Sequence, residues 1–229
     1  MSLQVLGITL AKGHSKGVPG KNTKEIAGKP LLSWTTREAK RSYQLNDYFV
    51  STDDTHIAWL STRMGVETVI RPASLARDDT PSLAAIRHAV DVIEHKKGYS
   101  FQAIALIPCT TPLRTADDID GAISMLEDNP MADSVIGVTE CIPVERVKKI
   151  VDGLIVDTYP EPQDGQRQNL EKCYTRSGIY VIRRDSLDRL FGHANSLAYV
   201  IPPERAVNID TILDWTLAEA LLKEREGLP

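Results

Sequence analysis

Residues 4–22 read "QVLGITLAKGHSKGVPGKN". Gln4 to Ala11 is an apolar run of strand length, consistent with a strand buried on both faces. It opens directly into a loop, Ala11 to Asn22, that carries Lys12, Lys16 and Lys21 among Gly13, Gly17 and Gly20, with Pro19 to stiffen it. A strand end followed by such a loop can turn backbone N–H groups around phosphate oxygens while the lysines supply charge. Working outward, the same strand-then-helix alternation recurs. Leu31 to Ser42 reads as a helix, Asp47 to Ser51 as a strand and Thr55 to Met64 as a helix. Val66 to Ile70 is a strand, Ser82 to Glu94 an amphipathic helix, Ala103 to Ile107 a buried strand and Ala116 to Leu126 a helix that "TADD" can open. Ser134 to Val138 is a further strand. This order predicts a mainly parallel sheet with helices on both faces, which binds ligands at the carboxyl ends of its strands.

Charge is uneven along the chain. The 229 residues carry a formal net charge of -4, yet residues 1–41 hold eight Lys or Arg against only Glu25 and Glu38. A uniformly basic surface would suggest nucleic acid; an acidic chain with one basic, glycine-rich loop suggests a small polyanion such as a nucleotide. A solvated lysine-rich surface loop is the plainer alternative. No run approaches the roughly 18 apolar residues of a membrane span, and the amino terminus shows no signal-peptide pattern, so the expectation is a cytoplasmic protein with no membrane partner. Cys109, Cys141 and Cys173 are odd in number and far apart, with no C-x-x-C pair. That spacing argues against a disulfide framework or a zinc site.

The loop fits neither common phosphate motif. A Walker A loop needs glycine where Ser15 stands and a hydroxyl where Asn22 stands; a G-x-G-x-x-G meets Ser15 from Gly13 and Pro19 from Gly17. Between about residues 139 and 172 the alternation breaks. "VKKIVDGLIVDTY" reads as a hairpin with Asp-Gly at its turn, followed by the loop-like "PEPQDGQ". Two short strands are marginal alone and need a surface to pack on, for which a partner subunit is a candidate. "CYTRSGIYVIRR" then returns as a strand, and "IDTILDWTLAEALLKERE" supplies a long carboxyl-terminal helix.

The segments "LAKGHSKGVPGKN", "AGKPLL", "VSTDD", "RPASLARDDTPS", "PCTTPLRT", "RQNLEKCYTRSGIYVI" and "NIDTILDW" occur in this order along nearly the whole chain. Together they resemble the cytidylyltransferases that activate sialic acid and related nonulosonic acids as CMP-sugars. The resemblance implies a single nucleotidyltransferase domain over residues 1–229, with a Rossmann-like, mainly parallel sheet and an inserted β-hairpin extension at 139–172 that serves dimerisation. It implies that CTP and a sugar acid react to give a CMP-sugar and pyrophosphate, with Mg2+ as cofactor. Related enzymes of the same fold acting on another sugar or base, or a non-catalytic nucleotide-binding relative, are the alternatives.

Carried over position by position, the resemblance places Leu10, Ala11 and Asn22 at the cytosine and ribose. Lys12 and Lys21 face the triphosphate, Gly13 and Ser15 belong to the same loop, and Arg71 and Ser82 lie near the nucleotide. Without the motifs, Arg71 would read as a surface ion pair and Ser82 as a helix cap. Asp210 in "NIDT" is the implied metal ligand, with Asn208 beside it where the family often has a second carboxylate; a cap or charge at the start of the last helix is the competing role for Asp210. Lys148 and Arg167 are the positions implied to reach the sugar acid in the neighbouring subunit of a homodimer. Lys12 stands where the family has arginine, keeping charge but losing the planar fork.

Overall fold

The computed structural model describes residues 2–15, 17–159, 170–190 and 195–229. Strand β1 (Val5–Leu10) lies in the interior of a seven-stranded sheet. On one side lie β4 (Asp47–Thr52) and then β5 (Glu67–Ile70), all parallel. On the other lies β6 (Ala103–Leu106), also parallel to β1. Beyond it β10 (Cys173–Arg183) runs antiparallel to both β6 and β7 (Ser134–Cys141), and β11 (Ser196–Val200) closes the edge parallel to β7. A small antiparallel pair, β2 (Glu25–Ile26) and β3 (Lys29–Pro30), sits beside the first loop. The mostly parallel sheet expected from the alternation is present; β2 and β3, two residues each, are too short for periodicity to register, and β11 is an addition to the expected strands.

Alternate residues of the central strands serve opposite faces. Leu6, Ile8, Ile104 and Leu106 pack with Ile86, Ala89, Val90 and Ile93 of helix α3 (Ser82–Lys97). On the opposite face, Val5, Ala103 and Ala105 meet Ile119, Ala122 and Ile123 of α4 (Ala116–Asp128), the two alanines leaving room for that helix. Helices α1 (Leu31–Arg41) and α2 (Thr55–Arg63) share this side, joining Leu32 and Ile57 to Val50. Helix α5 (Ile212–Glu226) forms an outer layer, its Trp215, Ala218 and Leu222 packing with Leu31 and Trp34 of α1. Capping boxes at Thr115/Asp118 and Thr211/Asp214 start α4 and α5, each satisfying two otherwise orphaned backbone N–H groups.

The excursion from the sheet begins later than its composition suggests. Strand β7 continues through Thr139 and Glu140 to Cys141, paired with β10, so the chain leaves the ladder after Cys141 and rejoins it at Cys173. Within it β8 (Lys148–Val151) and β9 (Leu154–Asp157) form the expected hairpin, joined by Asp152 and Gly153 at φ 51° and 81°. Two positive φ values are what a two-residue turn matched to strand twist requires, and Asp-Gly tolerates them. The hairpin stands apart from the main sheet, with Ile150, Leu154 and Ile155 each at least 70% exposed.

Candidate functional site

Chain order reverses at β1, which has β4 on one side and β6 on the other, and a crevice opens outside the carboxyl ends of β1 and β6. A cleft of about 470 Å³ lies there. Leu10 and Ile8 supply part of its floor from β1, and residues 107–110 follow from β6. Lys12, Ser15, Lys21 and Asn22 enter from the first loop, Arg71 and Ser82 from beyond β5, and Tyr180 from β10. The structure therefore gathers most of the residues named from sequence around one cavity.

The first loop is held from three directions. Asn22 is buried and its amide donates to the Lys12 carbonyl at 2.9 Å, closing the loop on itself. Lys21 Nζ donates to the Ile209 carbonyl at 2.7 Å and lies 3.4 Å from Asp210 Oδ1. Gly17 packs so tightly on the backbone of Asp210 that a Cβ there would fall 1.9 Å from its carbonyl oxygen. The Ile209 amide in turn donates to the Thr110 carbonyl at 2.8 Å, so the loops after β1 and β6 and the segment before α5 form one connected wall.

Several assignments change in three dimensions. Ala11 is fully buried among Leu32, Val50 and Ile57, and its amide donates to the Ser51 carbonyl at 2.9 Å. Its side chain belongs to the core, because it is the last residue before the chain leaves the sheet. Arg71 is buried rather than a surface partner: its guanidinium pairs with Asp53 Oδ1 at 3.2 Å, and its Nε has no acceptor among the described residues. Ser82 is the first residue of α3, whose N-cap position is Pro81, so Ser82 lines the cleft without capping. Asp210 does not cap α5; Thr211 does, with Asp214 returning to the amides of both Thr211 and Asp210. The Asp210 carboxylate, 66% exposed, sits at the rim beside Lys21 and accepts from the Asn208 amide. Lys148 lies on the hairpin, away from the cleft, and pairs with Asp157 at 2.7 Å. Lys16 and Arg167 lie outside the described residues.

Three residues with no role assigned from sequence shape the site. Asp53 Oδ1 accepts from the Gly13 amide at 3.3 Å as well as from Arg71, tying the first loop to the loop after β5. Asp78 pairs with Lys12 at the cleft mouth. Arg114 is fully buried; its Nη1 donates to Thr111 Oγ1 at 2.9 Å and to the Pro108 and Gly178 carbonyls at 3.2 and 2.6 Å, fixing the wall after β6 against β10. Burial lowers its guanidinium to about 10, still protonated at neutral pH. The "VSTDD", "RPASLARDD" and "PLRT" segments mark these positions, but only contacts across the sheet reveal what they touch. Cys109 also lines the cleft, and burial pushes its thiol up to about 12, which leaves no reactive thiolate near neutrality.

A mostly parallel α/β sheet with a lysine-bearing cleft at the carboxyl ends of its strands is an arrangement suited to holding an anionic ligand such as a nucleotide. The chain matches the cytidylyltransferase family model over residues 6–202 and belongs to that family. It is 28% identical over 228 residues to the post-translational flagellin modification protein B of Campylobacter coli, covering 97% of this chain and 96% of that one. It is 26% identical to the pseudaminic acid cytidylyltransferase of Campylobacter jejuni, covering 95% of this chain and 96% of the relative. The N-acylneuraminate cytidylyltransferase of Escherichia coli O18:K1:H7 is 23% identical over 98% of this chain, which spans 54% of that longer protein. Among solved structures, a CMP:2-keto-3-deoxy-manno-octonic acid synthetase complexed with CTP superposes with a TM-score of 0.72 at 17% identity, covering 97% of this chain and 99% of that one, a likeness of fold.

Proposed function

We propose that this cytidylyltransferase joins CTP to a nonulosonic acid, releasing pyrophosphate and a CMP-sugar. The observation that carries the reading is the convergence of Lys12, Lys21 and the buried Arg71 on one cleft, Arg71 with an N–H still lacking an acceptor. CTP brings about four negative charges and the sugar acid another, so attack of one anion on the other needs local positive charge fixed in advance. On this reading Lys21, anchored through Ile209, and Lys12, opposite Asp78, meet the phosphate oxygens. Leu10 and Asn22 also line the cleft, and the resemblance assigns them to the base and ribose.

In the reaction the anomeric 2-hydroxyl oxygen bonds to the α-phosphorus, the bond to the β-phosphate oxygen breaks, and the hydroxyl proton leaves to solvent or a base. Catalysis is chiefly positioning and charge stabilisation. Asp210 and Asn208 offer one carboxylate and one amide oxygen two residues apart on the rim. Among the described residues no group of three or more His, Cys, Asp or Glu is arranged for a metal ion. That sparse, hard-oxygen set suits magnesium, which keeps several waters and takes phosphate oxygens as ligands. When bound there the ion supplies charge neutralisation at the phosphates.

The proposal extends to a homodimer in which the hairpin, with Lys148 and the following Arg167, completes the neighbour's sugar-acid site. The exposed Ile150, Leu154 and Ile155 support it, since a two-stranded hairpin with such a surface gains stability by packing on something else. Among the described residues no helix is long and apolar enough to cross a membrane; a cytoplasmic location is part of the proposal. The test is pyrophosphate release with CTP, UTP, GTP or ATP and magnesium, against N-acetylneuraminate, legionaminate, pseudaminate and 3-deoxy-octulosonate. Release with CTP and a nine-carbon sugar acid is expected. Preference for another nucleotide, or for 3-deoxy-octulosonate alone, would overturn the reading.

A further inference from the structure

Cys141 ends β7 and Cys173 begins β10, and the antiparallel ladder sets them opposite each other as its terminal pair. Opposed residues of an antiparallel pair project from the same face of the sheet, with Cα atoms about 4.5 or 5.5 Å apart according to their place in the ladder. Both separations lie within the roughly 4.4–6.8 Å that a disulfide requires. As the last pair, they adjoin residues outside the ladder, which can yield the small Cβ approach the bond needs. Both thiols are partly accessible. Cys141 Sγ donates to the Ile142 carbonyl at 3.6 Å and Cys173 Sγ to the Glu171 carbonyl at 3.7 Å, weak contacts that an exchange reaction can displace. Cys109 is buried elsewhere and does not compete. The hairpin β8/β9 lies in the chain between the paired cysteines.

We propose that Cys141 and Cys173 are a thiol–disulfide couple that closes the neck of this excursion, with a low-molecular-weight disulfide as oxidant. The thiolate of one cysteine attacks a sulfur of that disulfide; its S–S bond breaks, one small thiol leaves with a proton, and a mixed disulfide remains on the protein. The opposing cysteine, as thiolate, then attacks the protein-bound sulfur and expels the second small thiol. Two protein thiols are oxidised and one small disulfide is reduced to two thiols, so electrons and protons balance. The ladder makes the second step intramolecular between groups already opposed, which favours it over accumulation of the mixed disulfide. In a reducing compartment the pair rests as thiols and responds to a rise in oxidised small thiols.

The test uses the full chain equilibrated with mixtures of oxidised and reduced glutathione, then denatured, alkylated and examined by intact mass and by non-reducing peptide mapping. Loss of two of the three free thiols, a Cys141–Cys173 linkage within one chain, an unchanged folded-state circular dichroism signal and full reversal by dithiothreitol are expected. Cys141→Ser and Cys173→Ser should each stop at a glutathione adduct on the remaining cysteine. Three persistent thiols under conditions that oxidise the pair in a denatured control would overturn the proposal. So would a linkage between chains, a linkage through Cys109, or oxidation that occurs only as the folded signal is lost. None of these results depends on substrate identity, so they separate from failure of the CTP reaction.

Discussion

Lys21 reaches the Ile209 carbonyl at 2.7 Å, so its ammonium is held at the rim instead of ranging through solvent. A preorganised cation of this kind acts on charge developing in the transition state. Lys21→Ala should therefore lower turnover with CTP by about a hundredfold, with little change in the melting temperature; steady-state pyrophosphate release and a thermal melt measure the two. Asp210 is a separate case, because its carboxylate is exposed and Thr211 performs the capping. Asp210→Asn should nearly abolish magnesium-dependent turnover without a loss of helix stability, whereas Asn208→Asp should lower the magnesium concentration giving half-maximal rate, since an added carboxylate strengthens a site for a hard cation. A magnesium titration of each variant distinguishes them. Retained activity and magnesium dependence in Asp210→Asn would leave the Asp210 carboxylate its contacts with Lys21 and Asn208 and no metal role.

Elements are joined around the cleft by a few buried or half-buried charges. Arg114 binds the wall after β6 to β10 and reaches Thr35 of α1 at 3.4 Å. Arg114→Leu leaves the Pro108 and Gly178 carbonyls without this donor, and it should cost at least about 2 kcal/mol of stability, the scale of stranding buried polar groups. Denaturant unfolding reads that loss directly. Helices α1 and α5 are tied by Arg37, whose two terminal nitrogens donate to the two Glu226 oxygens at 2.7 and 2.8 Å. Hydrogen bonding to Arg37 holds the Glu226 carboxyl down at about 2, against an ordinary value of 4.5. A carboxylate lowered in the folded state binds fewer protons there than in the unfolded chain, so its stabilisation is present above pH 4.5 and is lost as pH falls toward 2. The stability difference between the native chain and Glu226→Gln should be constant from pH 5 to 7 and shrink below about pH 4.5, measured by urea unfolding across that range.

At the scale of the molecule, the hairpin is an appendage whose Ile150, Leu154 and Ile155 are largely uncovered among the described residues. Ile150→Asp combined with Leu154→Lys should leave the monomer's fold unchanged, because both positions are already exposed, yet convert the proposed dimer to monomer in sedimentation velocity and lower turnover with the sugar acid. A native chain that sediments as a monomer would leave the hairpin without its assigned surface. Complementation supplies the functional half of the same prediction: Arg167→Ala mixed with Lys21→Ala should recover activity if each mixed dimer contains one site with both residues intact, and neither variant alone should match it.

The amino-acid sequence by itself determined what depends on neighbours along the chain. The apolar run before Ala11, the alternation through Leu126 and the Asp152-Gly153 turn are local patterns, and they produce β1, the parallel half of the sheet and the β8/β9 hairpin. The ordered motifs likewise made the cytidylyltransferase family legible and brought Lys12, Lys21, Asn22, Arg71 and Ser82 to one cleft. Only the tertiary structure decided which way Ala11 turns, that Asp53 joins Gly13 to Arg71, that Tyr180 enters the cleft from an antiparallel strand, and that Cys141 meets Cys173. Periodicity and turn chemistry act over a few residues, whereas these contacts are fixed by strand order and register. A one-residue shift of β10 against β7 would separate the two cysteines and turn their neighbours to the other face.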